Sequence, residues 1–565
     1  MNARISLNIR FGIICILIFS PLYAKQGPQP ECVQPNSTPG IYFTKKSYQT
    51  EPLPDYESVK QRLPAPIYDE KPAWIKTYWK AWELAFRNFR APAAGSGFVS
   101  QFIDASFNDN VFAWDSSFMT MFTNLGAPLV PGISTLDNFY SRQLPDGEIC
   151  REIVRATGEC LKLWINTDCS PLFSRYGWEE SQLENSTGYA PVTYKHRSVP
   201  KPAPAYTLDA MNNPILAWAE LESYRVTGDR ERLKQVWEPL VRYYDSLQKY
   251  IRQGNGLYVT DWASMDNSPR NPYLRGGGVG VDISAEMVLF ARNLAEISGL
   301  LGDSQHLQRF SREADELTEL INRRMWDANR QFYFDLTLNE EWSPVKSVAA
   351  YWTLLAGVAT EGRARHLVDA LLDPRTFGRQ NAVPTLAADE PLYNPGGGYW
   401  RGSVWAPTTT MVLRGLDKYG YHNLARQLAL KHLDLVAQVY EKTGTIWENY
   451  SPEAIAPGNQ AKPDFVGWSG IGPILYLMEY GIGLTPEASR NILHWEIQSA
   501  TRVGCERYRF NGHLVTLTSE SVGANQSRLH IKVESDGDFV LSLQTPSETK
   551  QFRVKAGVQE FLASL

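Results

Sequence analysis

The sequence predicts a mainly α protein, an (α/α)6 toroid with a small all-β domain at its C-terminal end. Three observations carry this. Apolar residues recur at helical spacing from about Pro72 to Tyr480. The links between the resulting helices alternate, short then long, along that whole stretch. From about Ile492 the pattern changes to the period-two alternation of half-buried strands.

In chain order, helices are expected over about 74–91, 115–125, 134–144, 208–227, 230–252, 284–300, 303–326, 346–358, 361–371, 405–418, 421–441 and 468–481. Each even helix passes to the next odd one through a short link: Gly126 to Gly132, then Gly228-Asp229, Gly302-Asp303, Thr360-Glu361 and Gly420-Tyr421. Glycine at such ends is the expected helix stop. Each odd helix passes to the next even one through a long loop, roughly 92–114, 145–207, 253–283, 327–345, 372–404 and 442–467. Short links join antiparallel neighbours, so the helices run up and down and the six long loops share one rim. Loops held by a rigid scaffold are where function concentrates.

Beyond the helices, Leu514-Val515-Thr516-Leu517-Thr518, Leu529-His530-Ile531-Lys532-Val533 and Phe539-Val540-Leu541-Ser542-Leu543 read as strands, with turns at Asn511-Gly512, Asp536-Gly537 and Ala556-Gly557. At the other end, Arg4 and Arg10 precede the apolar run Phe11 to Phe19, and Ala24 is a small residue suited to cleavage. This is the pattern of a secretory signal, too short to span a bilayer, and it predicts a secreted or periplasmic protein. The expected organisation is therefore a signal over 1–24, a Pro-rich arm over 25–72 wrapping the toroid, the helical domain over 73–490 and the β domain over 491–565. Once Cys15 leaves with the signal, Cys32, Cys150, Cys160, Cys169 and Cys505 remain, and a disulfide within the 145–207 loop fits an oxidising compartment.

Composition narrows the chemistry. With 56 Lys+Arg against 61 Asp+Glu, nucleic acid is not an expected partner. Eight His residues without a His-Glu-x-x-His or ligand-like cluster argue against catalytic zinc. The glycine runs 276–278 and 396–398 lack the Lys-Ser/Thr of a phosphate loop, and no Gly-x-Ser-x-Gly elbow occurs, so no metal or cofactor is expected. The 17 Trp and 28 Tyr suit a carbohydrate cleft, where flat rings meet the apolar faces of sugars.

Two long-loop segments set acids among rings: Asp261-Trp262-Ala263-Ser264-Met265-Asp266-Asn267-Ser268-Pro269-Arg270 and Ile446-Trp447-Glu448-Asn449-Tyr450. Cleaving a bond between sugars needs two such acids, one to protonate the departing oxygen and one to activate water or attack directly. Two further segments have the same character, Trp114-Asp115 and Tyr399-Trp400-Arg401-Gly402, and Trp468 follows the Glu448 loop. Asp115, just before an apolar helix, reads equally as a helix N-cap.

At these residues the chain resembles the inverting glycosidases of glycoside hydrolase families 63 and 37, the processing α-glucosidase and trehalase groups, with mannosylglycerate hydrolases nearby. The resemblance covers roughly 75 to 485. It implies Asp266 as general acid and Glu448 as general base, with Trp114, Asp115, Arg270, Tyr399, Trp400, Arg401, Trp447 and Trp468 contacting substrate. It also implies inverting release of terminal α-linked glucose from oligosaccharides or small glycosides, with trehalase or an α-mannoside or mannosylglycerate hydrolase as alternatives. Tyr399-Trp400-Arg401-Gly402 is closer to family 63 than to trehalases. An arginine common before the Trp-Asp motif is replaced by Asn108-Asp109-Asn110, which leaves the innermost sugar open. A polysaccharide lyase would instead show an unsaturated product, and a silent sugar-binding protein would bind without turnover.

Overall fold

The computed structural model describes residues 46–145, 147–159, 213–260, 265–274, 278–337, 339–522 and 528–565. The expected signal, Cys32, Cys160, Cys169, Trp262 and most of the 145–207 loop lie outside them. Among the described residues, no helix is long and apolar enough to cross a membrane.

The chain forms the (α/α)6 toroid from helices α1 (Pro72–Phe86), α2 (Ala113–Thr123), α3 (Asp137–Ser141), α4 (Leu216–Thr227), α5 (Arg230–Ile251), α6 (Val281–Leu301), α7 (Ser304–Arg324), α8 (Trp352–Leu355), α9 (Glu361–Leu372), α10 (Ala406–Lys418), α11 (His422–Thr443) and α12 (Ile471–Ile482). Burial separates them into two rings. Every residue of α2 is buried, and α6, α10 and α12 are buried almost throughout. In α7 the buried residues are Phe310, Ala314, Leu317 and Ile321, a single stripe. A helix apolar all round must be surrounded by protein, whereas a striped one faces solvent. The even helices accordingly make the inner ring and the odd ones the outer ring, the short α3 being an odd helix that is nonetheless buried throughout.

The short links work as the glycine pattern predicts. Gly228 and Gly302 end α4 and α6 at φ of +68° and +82°. Asp229 and Asp303 then cap α5 and α7 by accepting the N–H of Arg232 and His306. An αL glycine followed by an N-capping acid reverses the chain within two residues.

Four helices differ from the sequence expectation in length or pattern. α1 stops at Phe86, because Phe89–Arg90 pairs with Phe102–Ile103 as a two-stranded ribbon. α3 and α8 are one or two turns long, each preceded by a 3-10 turn, Ile133–Leu136 and Val348–Tyr351. Helix α12 is hydrogen-bonded in the wider π pattern.

The strands are β1 (Ala65–Tyr68), β2 (Leu484–Glu487), β3 (Ile492–Glu496), β4 (Val503–Phe510), β5 (His513–Val522), β6 (Arg528–Ser535), β7 (Phe539–Gln544), β8 (Thr549–Val554) and β9 (Gly557–Ser564). They form two sheets, β1-β4-β5-β6-β9 and β8-β7-β3-β2. Two strands come from outside the segment where strands are expected. β1 pairs antiparallel with β4, Ala65 opposite Glu506 and Tyr68 opposite Val503, so this part of the arm is built into the sheet rather than wrapped round the toroid. β2 directly follows α12 and pairs with β3. Trp495 of β3 is fully buried, and its indole N–H donates to the Ile482 carbonyl at 3.0 Å, which ties the sheet to α12. Cys150 is disulfide-bonded, and Cys505 of β4 is a buried free thiol.

Candidate active site

Long loops on one rim converge on a narrow pocket of about 60 Å³, lined by Phe107, Phe112, Trp114, Asp115, Arg151, Asp266, Tyr399, Trp400, Trp405 and Trp468. The rings form a continuous wall. Trp400 stacks on Trp405 at 4.4 Å and 7°, Trp405 leans on Trp468 at 5.7 Å, and Trp468 meets Trp114 edge-on at 6.3 Å. The buried indole N–H of Trp114 has no hydrogen-bond partner among the described residues, so the wall offers at least one donor to a ligand hydroxyl.

Asp266 lies on a tight turn, with the Ser268 N–H donating to the Met265 carbonyl. The Asn271 amide closes the turn by donating to the carbonyls of Met265 and Asp266 at 2.9 and 3.0 Å. Asn267 then staples the turn to a loop 131 positions away: its Nδ2 donates to the Gly398 carbonyl, and its Oδ1 accepts the Trp400 N–H at 2.9 Å. That loop bends sharply, with φ of +108°, +56° and +64° at Gly397, Gly398 and Tyr399. The left-handed backbone is unusual for tyrosine, and here it accompanies a Tyr399 hydroxyl that reaches Glu448.

Glu448 stands directly behind Tyr399. The Tyr399 hydroxyl donates to its Oε1 at 3.4 Å and the Lys462 N–H to its Oε2 at 3.2 Å. Its backbone carbonyl accepts from Trp468 Nε1 and Ser469 Oγ. Val404 and Tyr450 exchange both backbone hydrogen bonds, which join the Trp400 and Glu448 loops. Glu448 is 2% exposed, and burial pushes its carboxyl up to about 7; the Asp266 charge adds to this, against the Lys462 ammonium and the hydrogen bonds from Lys462 and Tyr399. Asp115 is also buried and is pushed up to about 8, mainly by desolvation, with Glu152 and Asp266 adding and Arg151 opposing. Asp266 thus acts electrostatically on both other carboxyls. Asp115 and Asp266 line the ring-walled pocket and Glu448, which does not line it, lies beside it behind Tyr399, a grouping of acids suited to proton transfer near neutral pH.

Several expected site residues sit elsewhere. Arg270 is fully buried beneath the turn, its guanidinium forked onto Asp335 at 2.7 and 2.8 Å and bonded to Asp282 at 2.6 Å. It holds the Asp266 turn rather than lining the pocket, because two carboxylates already occupy its donors. Arg401 is exposed and donates to the Asn267 carbonyl, outside the pocket lining. Trp447 donates to Thr443 Oγ1 and packs on the cluster of Val404, Val436 and Tyr450. The N-cap reading of Asp115 also fails: the N-cap of α2 is Phe112, and Asp115 lies in the first turn.

Arg151, Phe107, Phe112 and Trp405 line the pocket in addition to the expected site residues. Arg151 reaches it because Asn110–Phe112 of the first long loop pairs with Glu152–Val154 at the start of the second. Nothing in its local sequence marks this role. Trp405, beside the Tyr399 motif, was within reach of the aromatic pattern.

Among curated relatives, an uncharacterized protein of Borreliella burgdorferi is 26% identical over 57% of this chain and 69% of its own length. A probable mannosyl-oligosaccharide glucosidase of Schizosaccharomyces pombe is 23% identical over 42% of the chain, a match that spans 31% of the yeast protein. Among solved structures, the GH63 mannosylglycerate hydrolase of Thermus thermophilus in complex with Tris superposes with a TM-score of 0.50 at 20% identity, covering 71% of this chain and 99% of the other, which speaks for the fold. Residues 171–465 match the family described as the mannosylglycerate hydrolase MGH1-like glycoside hydrolase domain. That match takes in the turn of Asp266, the Tyr399 loop and Glu448, and with it this chain belongs to that family and is a glycoside hydrolase.

Proposed function

We propose that this glycoside hydrolase works with inversion, Asp266 as general acid and Glu448 as general base, on a terminal α-linked glucose. The observation that supports the roles most directly is the pairing of Asp266, on the pocket wall, with a buried Glu448 whose carboxyl titrates near neutrality. A general base is most effective when its pKa lies near the working pH. The ring wall suits the apolar face of a terminal sugar, against Trp400 and Trp468, with a hydroxyl on the Trp114 N–H.

Inversion requires water to attack the face opposite the leaving group. An α-glucoside should therefore release β-glucose first. Proton NMR in the first minutes, before mutarotation, reads the anomer, and α-glucose as the initial product would overturn the assignment of Glu448 as base.

The Tyr399 hydroxyl favours the ionised form of Glu448. Tyr399→Phe should therefore raise the Glu448 pKa and move the acidic limb of kcat/KM from about 7 toward higher pH. A limb that stays in place would separate Tyr399 from the base.

One observation favours a second substrate. Arg151 places a guanidinium on the pocket wall, within electrostatic reach of Asp115. A cation there suits a leaving group that carries a carboxylate, such as the glycerate named for the family. Turnover of an α-mannosyl or α-glucosyl glycerate, lost in Arg151→Gln while neutral α-glucosides remain unreactive, would select this reading. Turnover of neutral α-glucosides independent of Arg151 would discard it.

A further inference from the structure

The bore of the toroid holds a second and larger cavity, of about 710 Å³. It lies among the C-terminal halves of inner helices α4, α6 and α10, with β2, β3 and β7 lining its far side. The C-terminal sheet thus closes the end of the bore opposite the candidate active site.

Part of the charge in this cavity is matched internally. Arg414 bridges Glu222 at 3.2 Å and Glu479 at 2.7 Å, and Arg225 also pairs with Glu222. Arg292 and Lys418 are different. The carboxylate paired with Arg292, Asp315, stands 3.9 Å away, and the one hydrogen-bond partner of Arg292 among the described residues, the Thr318 hydroxyl, is neutral at 3.4 Å. The Lys418 ammonium donates to the Leu355 carbonyl at 3.1 Å. A Cβ on Gly357 would lie 2.5 Å from Arg292 Nη1 and 3.2 Å from Lys418 Nζ, so the two cations are at most 5.7 Å apart (2.5 plus 3.2). Glu296 supplies one negative charge toward the pair. Desolvation and the Arg292 and Arg225 guanidiniums hold the Lys418 ammonium down, at about 8. Next to Arg292, Asn293 is 7% exposed, lines the cavity, and its Nδ2 has no partner among the described residues.

The end of α8 accounts for Lys418, whose ammonium meets a terminal carbonyl there. It does not account for a second cation brought so close, or for an unbonded amide on the wall of the same cavity. Like charges held this close are relieved by an anion between them. The volume is that of an ordinary small-molecule site.

We propose that this cavity is a second binding site, for a small ligand bearing a carboxylate or phosphate, whose charge Arg292 and Lys418 share and whose oxygen accepts from the Asn293 amide. The test is titration calorimetry at low salt with inorganic phosphate and, separately, malonate. At least one should bind the wild-type protein. Lys418→Gln and Arg292→Gln should each weaken that binding at least about tenfold. Glu448→Gln, in the other pocket, and Arg312→Gln, on the outer face of α7, should leave it unchanged. Binding of phosphate alone marks a phosphorylated ligand, and of malonate alone a carboxylate. Failure of both to bind, or binding indifferent to Lys418 and Arg292, overturns the proposal. Because the readout is binding, the result stands apart from any assignment of substrate or catalytic residues.

Discussion

Glu448→Gln should lower turnover by about 10²–10⁴-fold, the usual worth of a general acid or base, and at the same time make the protein more stable at alkaline pH. The second half follows from burial. The Glu448 carboxyl is raised from 4.5 to about 7 in the folded protein. Between those values the folded state holds a proton that the unfolded chain has released, so wild-type stability falls as pH rises through this window. Above about 7 the penalty is complete, with a ceiling of about 3 kcal/mol for a shift of this size. Glutamine does not titrate and escapes it. Chemical denaturation should show the variant gaining over wild type between pH 5 and pH 8. Equal stability differences at both pH values would contradict a neutral, buried Glu448. Asp266→Asn should lose turnover to a similar degree, and near-wild-type rates in either variant would remove that residue from the mechanism.

Arg270→Met should be the most damaging change for stability, about 3–5 kcal/mol, although Arg270 does not line the pocket. Its removal leaves Asp282 and Asp335 buried without their counter-charge. Breaking a buried ion pair from one side is costly because the surviving charge stays desolvated. Adding Asp282→Asn and Asp335→Asn to Arg270→Met should recover much of the stability. Turnover should stay low in the triple variant, since the turn carrying Asp266 loses the fork that anchors it. A single-variant loss below about 1 kcal/mol would show that the triad contributes little. Full activity in the triple variant would free the Asp266 turn from Arg270.

Periodicity and punctuation along the chain determined the architecture. The apolar stripes, the glycine and aspartate pairs at 228–229 and 302–303, and the alternation of short and long links were enough for a twelve-helix toroid with one elaborated rim, because each depends on neighbours a few residues away. The same local reading picked out Trp114, Asp115, Asp266, Tyr399, Trp400 and Trp468, which the fold brings to one pocket, and Glu448 beside it. Tertiary structure alone decided what surrounds each group. Arg270 reads as a ligand contact until Asp335, 65 positions away, is seen to occupy its fork. Arg151 has no local signal and reaches the wall through a strand pairing between the first and second long loops. The titration of Glu448, the pairing of β1 with β4 and the meeting of Arg292 with Lys418 likewise depend on parts of the chain far apart in sequence. Desolvation and charge are set by distance in space, and spacing along the chain does not carry it.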